Sequence, residues 1–235
     1  MTCAAPRSAH ASLPMAALLS VDGGGQFLLC GAERLTLGHL RAARADLGFL
    51  ADVGALHAEL VRADSLQVGP GWRIVPFGAE HVTVAGQAVA AGGRLLGPGE
   101  SVRLGENLEF RLRLPDPASA SVVLELQRGA ECAGARQIVL LARGAGGRVR
   151  IGPALLHHVR VPGLEFELEL EWLEGELCVR CEEPLAGALQ GTSGRLAFPP
   201  RARLALTCGQ PCGSRPPFGL SFEPVARFES GSARA

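Results

Sequence analysis

Between residues 164 and 172 apolar and acidic side chains alternate without a break, Leu164, Phe166, Leu168, Leu170 and Trp172 against Glu165, Glu167, Glu169 and Glu171. A period of two belongs to the β-strand, whose successive side chains leave opposite faces, so this stretch turns one side to a core and the other to water. Four carboxylates spaced about 7 Å apart repel one another and call for cations beside them. Arg148-Val149-Arg150 and Arg201-Ala202-Arg203 have the matching period. Such exposed pairs contribute little, roughly 0.2–1 kcal/mol each, and the row reads as a solvated, salt-bridged face.

Short runs of the same kind recur along the chain. Residues 26–30 and 34–37 flank a turn at Gly31-Ala32, and 57–62 and 72–75 follow. Residues 81–84 lead into Ala85-Gly86, and Gly97-Pro98-Gly99 turns the chain into 101–104 and 108–114. Pro115-Asp116-Pro117 breaks the pattern, after which 121–126, 137–141 and 149–152 resume it. Gly23-Gly24-Gly25 and residues 144–147 read as hairpin turns. Helical periodicity is scarce; its best candidate, residues 40–50, is interrupted by Gly48 and followed by no apolar stripe. With Gly and Pro at 31 and 16 residues of 235, this is an all-β chain rich in turns.

The halves echo each other. Leu35-Thr36-Leu37-Gly38 matches Val149-Arg150-Ile151-Gly152, and Gly71-Trp72-Arg73-Ile74-Val75 matches Gly175-Glu176-Leu177-Cys178-Val179. Arg94-Leu95 through Arg103-Leu104 is repeated by Arg195-Leu196 through Arg203-Leu204. The same elements in the same order predict two tandem β-sandwiches, over residues 15–115 and 119–226, with Trp72 and Trp172 in their cores and mobile ends at 1–14 and 227–235.

Composition narrows the roles. Arginine supplies all 23 basic residues and 23 acids balance them, so the basic surplus of a phosphate-reading nucleic-acid binder is missing. No apolar run approaches the roughly 20 residues of a membrane helix, and the short stretch at residues 14–19 is a poor signal peptide; the expected compartment is the cytoplasm. Seven cysteines, an odd number at irregular spacing, fit reduced and mostly buried thiols. Cys178, Cys181, Cys208 and Cys212 superficially resemble a zinc ribbon. Cys178 and Cys181, however, sit three apart on a strand and therefore face opposite sides of it. Structural thiols, with no cofactor, are the expectation.

Residues 15–114 resemble the forkhead-associated (FHA) domain family. The resemblance runs through Arg34-Leu35-Thr36-Leu37-Gly38, then residues 45–53, His57-Ala58-Glu59-Leu60, Gly71-Trp72-Arg73-Ile74, Val82-Thr83-Val84-Ala85-Gly86 and residues 95–105. It implies an 11-strand sandwich whose apical loops usually read phosphothreonine peptides in signalling. Holding a phosphate dianion against water takes a fixed guanidinium and a hydroxyl donor, and an Asn clamps the peptide backbone. Family members place the Arg directly after the glycine matching Gly38, where this chain has His39. They place Ser and Arg where Gly54 and Ala55 stand, and Asn where Ala85 stands. The framework positions Gly38, His57 and Gly86 remain, His57 as a structural ring bonding the loop backbone. The second half is similar to a still more divergent copy, with Pro153 after Gly152. The adjacent His157 and His158 are expected on a strand, one exposed and one half-buried.

Nothing in the chain resembles a catalytic motif: there is no nucleophile elbow, no phosphate-cradling loop ending in lysine and no His-Glu-x-x-His helix. The expected role is non-catalytic recognition of a protein or peptide, or scaffolding, on a degenerate FHA fold, with no nucleic-acid or membrane partner. The alternative is a phosphopeptide site rebuilt around His39, Arg41 and Arg44.

Overall fold

In the computed structural model the chain forms strands and turns, and no helix occurs among the described residues, which are 16–42, 45–65, 69–142, 147–173, 176–181, 185–187, 195–197, 203–208 and 218–225. The first half contributes β1 (Ala16–Val21), β2 (Gly25–Cys30), β3 (Arg34–His39), β4 (Leu47–Phe49), β5 (Ala58–Ser65), β6 (Gly69–Pro76), β7 (Val82–Val84), β8 (Gln87–Ala88), β9 (Arg94–Leu96), β10 (Ser101–Leu104) and β11 (Leu108–Arg113). The second contributes β12 (Val122–Leu126), β13 (Gln137–Leu140), β14 (Arg148–Gly152), β15 (Val159–Arg160), β16 (Leu168–Leu173), β17 (Glu176–Cys181), β18 (Leu185–Gly187), β19 (Arg195–Ala197), β20 (Arg203–Cys208) and β21 (Phe218–Pro224).

The repeat is visible in the pairing. Two five-stranded sheets have the orders β4-β3-β5-β6-β9 and β15-β14-β16-β17-β19, each with one parallel pair at the same edge. The third sheet has eleven strands, β18-β20-β21-β1-β2-β13-β12-β11-β10-β7-β8, and reads alike from either end inward. In it the hairpins have changed places. β1 pairs with β21 of the second half, and β12 pairs with β11 of the first. β2 and β13 then join side by side in the one parallel junction among that sheet's described strands. The division at 115–119 therefore separates the two five-stranded sheets but not the eleven-stranded one, in which each sandwich is completed by a hairpin from beyond the division.

The central strands show what this does to packing. Leu28 and Cys30 of β2, with Ile138 and Leu140 of β13, enter a core shared with the β3–β6 sheet. Their neighbours Phe27, Leu29, Val139 and Leu141 enter a second core against β14, β16 and β17. At β2, β13 and β12 the molecule is thus three layers deep, and strands buried on both faces carry unbroken apolar runs instead of alternation. Parallel pairing of β2 with β13 implies an approximate two-fold axis along the strands, which inverts the faces and keeps the direction. Both sandwiches therefore turn their corresponding loops to one end of the molecule. At that end Gly105, in the β10–β11 turn, bonds His81 O, and the β1–β2 turn packs on Val161 just after β15. At the opposite end Val225 N–H donates to Ala16 O at 3.0 Å.

Several expectations change. β2 and β3 do not form a hairpin about Gly31-Ala32 but belong to different sheets. The alternating stretch is a paired strand only from Leu168, with Leu164 buried and Phe166 half-buried ahead of it. Its acids meet arginines as expected on the β14 side, Arg148 lying 3.6 Å from Glu169 and Arg150 pairing with Glu167. On the other side Arg180 of β17 stands opposite Glu169. Arg203 is on β20 in the eleven-stranded sheet, and Arg201 lies outside the described residues. Residues 40–42 and 45–50 form turns and β4. Trp72 is fully buried, whereas Trp172 is half-buried at the rim of the second core, over Gly31. The two terminal segments expected to be mobile, 1–14 and 227–235, lie outside the described residues.

Candidate functional site

The loops at the end of the N-terminal sandwich are assembled around Gly38 and His57. Gly38 ends the extended part of β3 against the 54–55 loop, and a Cβ there would fall on the carbonyl oxygen of Ala55. His39 N–H donates to Gly54 O at 2.9 Å, and His39 Nδ1 accepts from Arg41 N–H at 3.2 Å. His57 is buried; its Nδ1 accepts from Gly54 N–H at 3.1 Å and its Nε2 donates to His81 O at 3.1 Å. Each ring nitrogen takes one of the two backbone contacts. His57 thus links the 54–57 loop to the β6–β7 connection.

The space beside Gly54 is taken by Glu80. A side chain at Gly54 would collide with Glu80 Oε1, and Glu80 Oε2 stands 3.1 Å from His57 Nδ1. A carboxylate therefore lies where the resemblance implies a phosphate-binding hydroxyl. His39, Gly54 and His57 are brought together, with Ala55 exposed beside them and Arg41 exposed on the neighbouring turn. Arg44 lies outside the described residues. Ala85 and Gly86 are elsewhere: they cap the β7–β8 hairpin, at the far end of β7 from His81, about 13 Å of extended chain away.

Ala85 and Gly86 have φ of 50° and 78°. Two successive positive φ values define the hairpin turn that favours Asn-Gly, and alanine pays a steric cost in it. Ala85→Asn is expected to stabilise the protein by about 0.5–1 kcal/mol, seen as a higher denaturant midpoint at unchanged slope. A lower midpoint would contradict the turn geometry.

The C-terminal sandwich solves the same local problems with other residues. Leu37↔Ala58 and Ile151↔Leu168 are equivalent pairs, so Thr36 corresponds to Arg150 and His57 to Glu167. In the first sandwich Asp46, just before β4, accepts from Thr36 N–H at 2.9 Å. In the second His158, just before β15, accepts from Arg150 N–H at 3.1 Å through Nδ1. Glu167 is gripped by Arg150 and accepts from His157 Nε2 at 2.8 Å. The Arg150 bond, with His157 assisting, holds its carboxyl below the ordinary range. His157 and His158 lie in a turn rather than on a strand, and both are buried.

This cluster is also the joint between the halves. Arg113 donates to His157 O at 2.9 Å and to His158 O at 2.8 Å, Arg148 meets Asp116 at 3.1 Å, and Ser119 Oγ donates to Arg148 O at 2.7 Å. Its bonds run from one segment of chain to another, the pattern of a clasp. His158 is the part that answers to pH. Burial pushes its pKa from 6.5 to about 4, aided by Arg113 and Arg150 and opposed by the Ser121 carbonyl and Asp116. The unfolded chain takes up this proton near 6.5 and the folded one near 4, so the stability of the neutral buried ring is whole above the first value. It is lost as pH falls toward the second, a change of about 3 kcal/mol. Denaturant titrations from pH 7 to 4.5 are expected to show this slope, and His158→Asn to reduce it by about one proton.

Cys178 and Cys181 lie on an unbroken β17, Cys181 facing the second core and Cys178 the other way. The side chain of Cys208 and all of Cys212 lie outside the described residues. Among the described residues no three His, Cys, Asp or Glu side chains converge as metal ligands, and no helix is long and apolar enough to cross a membrane. Glu80, Asp46 and Asp116 were not singled out by the sequence, because each acts through a contact made far along the chain or with backbone.

No family model and no curated protein matches the chain. Among solved structures, the Slr1951 protein from Synechocystis is similar over 41% of this chain and 93% of its own, with 20% identity and a TM-score of 0.30.

Proposed function

We propose that this protein is a non-catalytic recognition or scaffold module built on a degenerate FHA fold, and that it engages a protein partner without needing phosphate. The twice-repeated strand order and the Gly38–His57 loop framework support the fold half of this reading. The observation that carries the functional half is the Glu80 carboxylate beside Gly54. An anion placed there repels a phosphate dianion, and among the described residues its ion-pair contact is with His57 rather than with an arginine. The four described cysteines are all buried, in keeping with reduced thiols and a cytoplasmic setting.

Matched peptide libraries with threonine or phosphothreonine, titrated against the protein, test this. The expected result is no gain from the phosphate, with a gain appearing only in Glu80→Gln. Binding that disappears on dephosphorylation and in His39→Ala would instead establish the phosphopeptide site around His39, Arg41 and Arg44, which the exposure of Arg41 next to His39 favours.

A further inference from the structure

The N-terminal hairpin serves a sandwich other than the one that follows it. β1 lies in register with β21 from Ala17↔Pro224 to Val21↔Leu220, and β2 with β13 from Ile138↔Leu28 to Leu140↔Cys30. Neither strand pairs with any of β3 to β11. Ala17, Leu19, Val21, Phe27 and Leu29 fill the second core. The hairpin is connected to β3 by residues 31–33 alone. That hinge is folded tightly: Gly31 lies under the Trp172 ring, Ala32 is buried, and Glu33 O accepts from Arg62 N–H at 2.8 Å.

We propose that a second copy of this chain is a partner, and that the site it fills is the slot between β21 and β13, occupied by the other copy's β1–β2 hairpin. Every bond the hairpin makes to β21, β13 and the second core is the same whether the hairpin comes from its own chain or from another. The balance is then set by two terms. Tethering gives the chain's own hairpin an effective concentration in the millimolar range. A hinge of three residues opposes closure, because short hinges invite exchange between molecules. Exchange is therefore a matter of protein concentration while the chain folds. None of these pairings involves the Gly38–His57 loops, so the inference stands or falls independently of what those loops bind.

Ser20 and Ser221 are in register across β1 and β21, which makes them reporters of whose hairpin fills the slot. The full-length Ser20→Cys/Ser221→Cys protein is unfolded, refolded at about 1 µM or several hundred µM, oxidised and run on a non-reducing denaturing gel beside both single variants. Cross-links inside one chain migrate as monomer, and those between chains as covalent dimer. The expected result is linked monomer at the low concentration and a dimer band, absent from both single variants, at the high one. A Gly-Ser-Gly insertion after Ala32 is expected to lower the dimer share several-fold. Light scattering on the unsubstituted protein refolded at the same two concentrations gives the same answer without the cysteines. Monomer alone at both concentrations, or a dimer indifferent to the insertion, overturns the proposal.

Discussion

Val139→Asp is expected to unfold both sandwiches together. Val139 is fully buried on β13, faces the second core, and sits in register with Leu29 at the seam between the exchanged hairpins. A carboxylate there finds no partner and costs several kcal/mol, a large fraction of the roughly 5–15 kcal/mol that holds a domain folded. Because β13 completes the N-terminal sandwich while Val139 packs in the C-terminal one, neither can absorb the loss alone. The two tryptophans read the halves separately, Trp72 in the first core and Trp172 at the rim of the second. In the Trp172→Phe and Trp72→Phe backgrounds, each denaturant curve is expected to show a single transition, and Val139→Asp to lower both midpoints by the same amount. A Trp72 transition left in place while the Trp172 transition vanished would sink the shared-sheet account.

Trp72→Ala is the second large effect. The indole is fully buried on β6, and its Nε1–H donates to Ala120 O at 3.1 Å, in the segment leading to β12. Truncation removes that bond and leaves a cavity among Leu60, Ile74 and their neighbours in the first core, at a cost of roughly 3–5 kcal/mol. Trp72→Phe keeps most of the apolar area and strands one carbonyl, so about 1–2 kcal/mol is expected. Equilibrium unfolding of the two variants separates packing from hydrogen bonding; equal losses would show that the bond, and not the ring, matters there.

Local pattern revealed the strands and their repetition. Leu35-Thr36-Leu37-Gly38 and Val149-Arg150-Ile151-Gly152 do occupy equivalent strands, β3 and β14, each one in from an edge, as do residues 71–75 in β6 and 176–179 in β17. What local pattern hides is which hairpin joins which sheet. β1–β2 and β12–β13 are interchangeable by alternation, and only long-range pairing chooses between β11 and β21. A trace of the answer lies in Phe27-Leu28-Leu29-Cys30 and Ile138-Val139-Leu140-Leu141, whose continuous apolarity is the mark of strands covered on both faces. At the candidate site the sequence points to His39, Gly54 and His57, which the fold gathers, and also to Ala85, which lies at the far end of β7. It does not point to the intruding Glu80, which arrives from a connection 26 residues further on. Asp46 and His158 share a task but no chemistry, so no comparison of residue types pairs them.

The parallel seam also decides which way the molecule points. Ala16 and Val225 lie on one side, while the Gly38–His57 loops and their counterparts in the C-terminal sandwich project from the other. Their supporting strands β11 and β21 are five positions apart in the shared sheet, about 24 Å. The result is a two-pronged plug: Ala16 and Val225 sit behind the prongs, and one flat surface of ordinary size spans both tips.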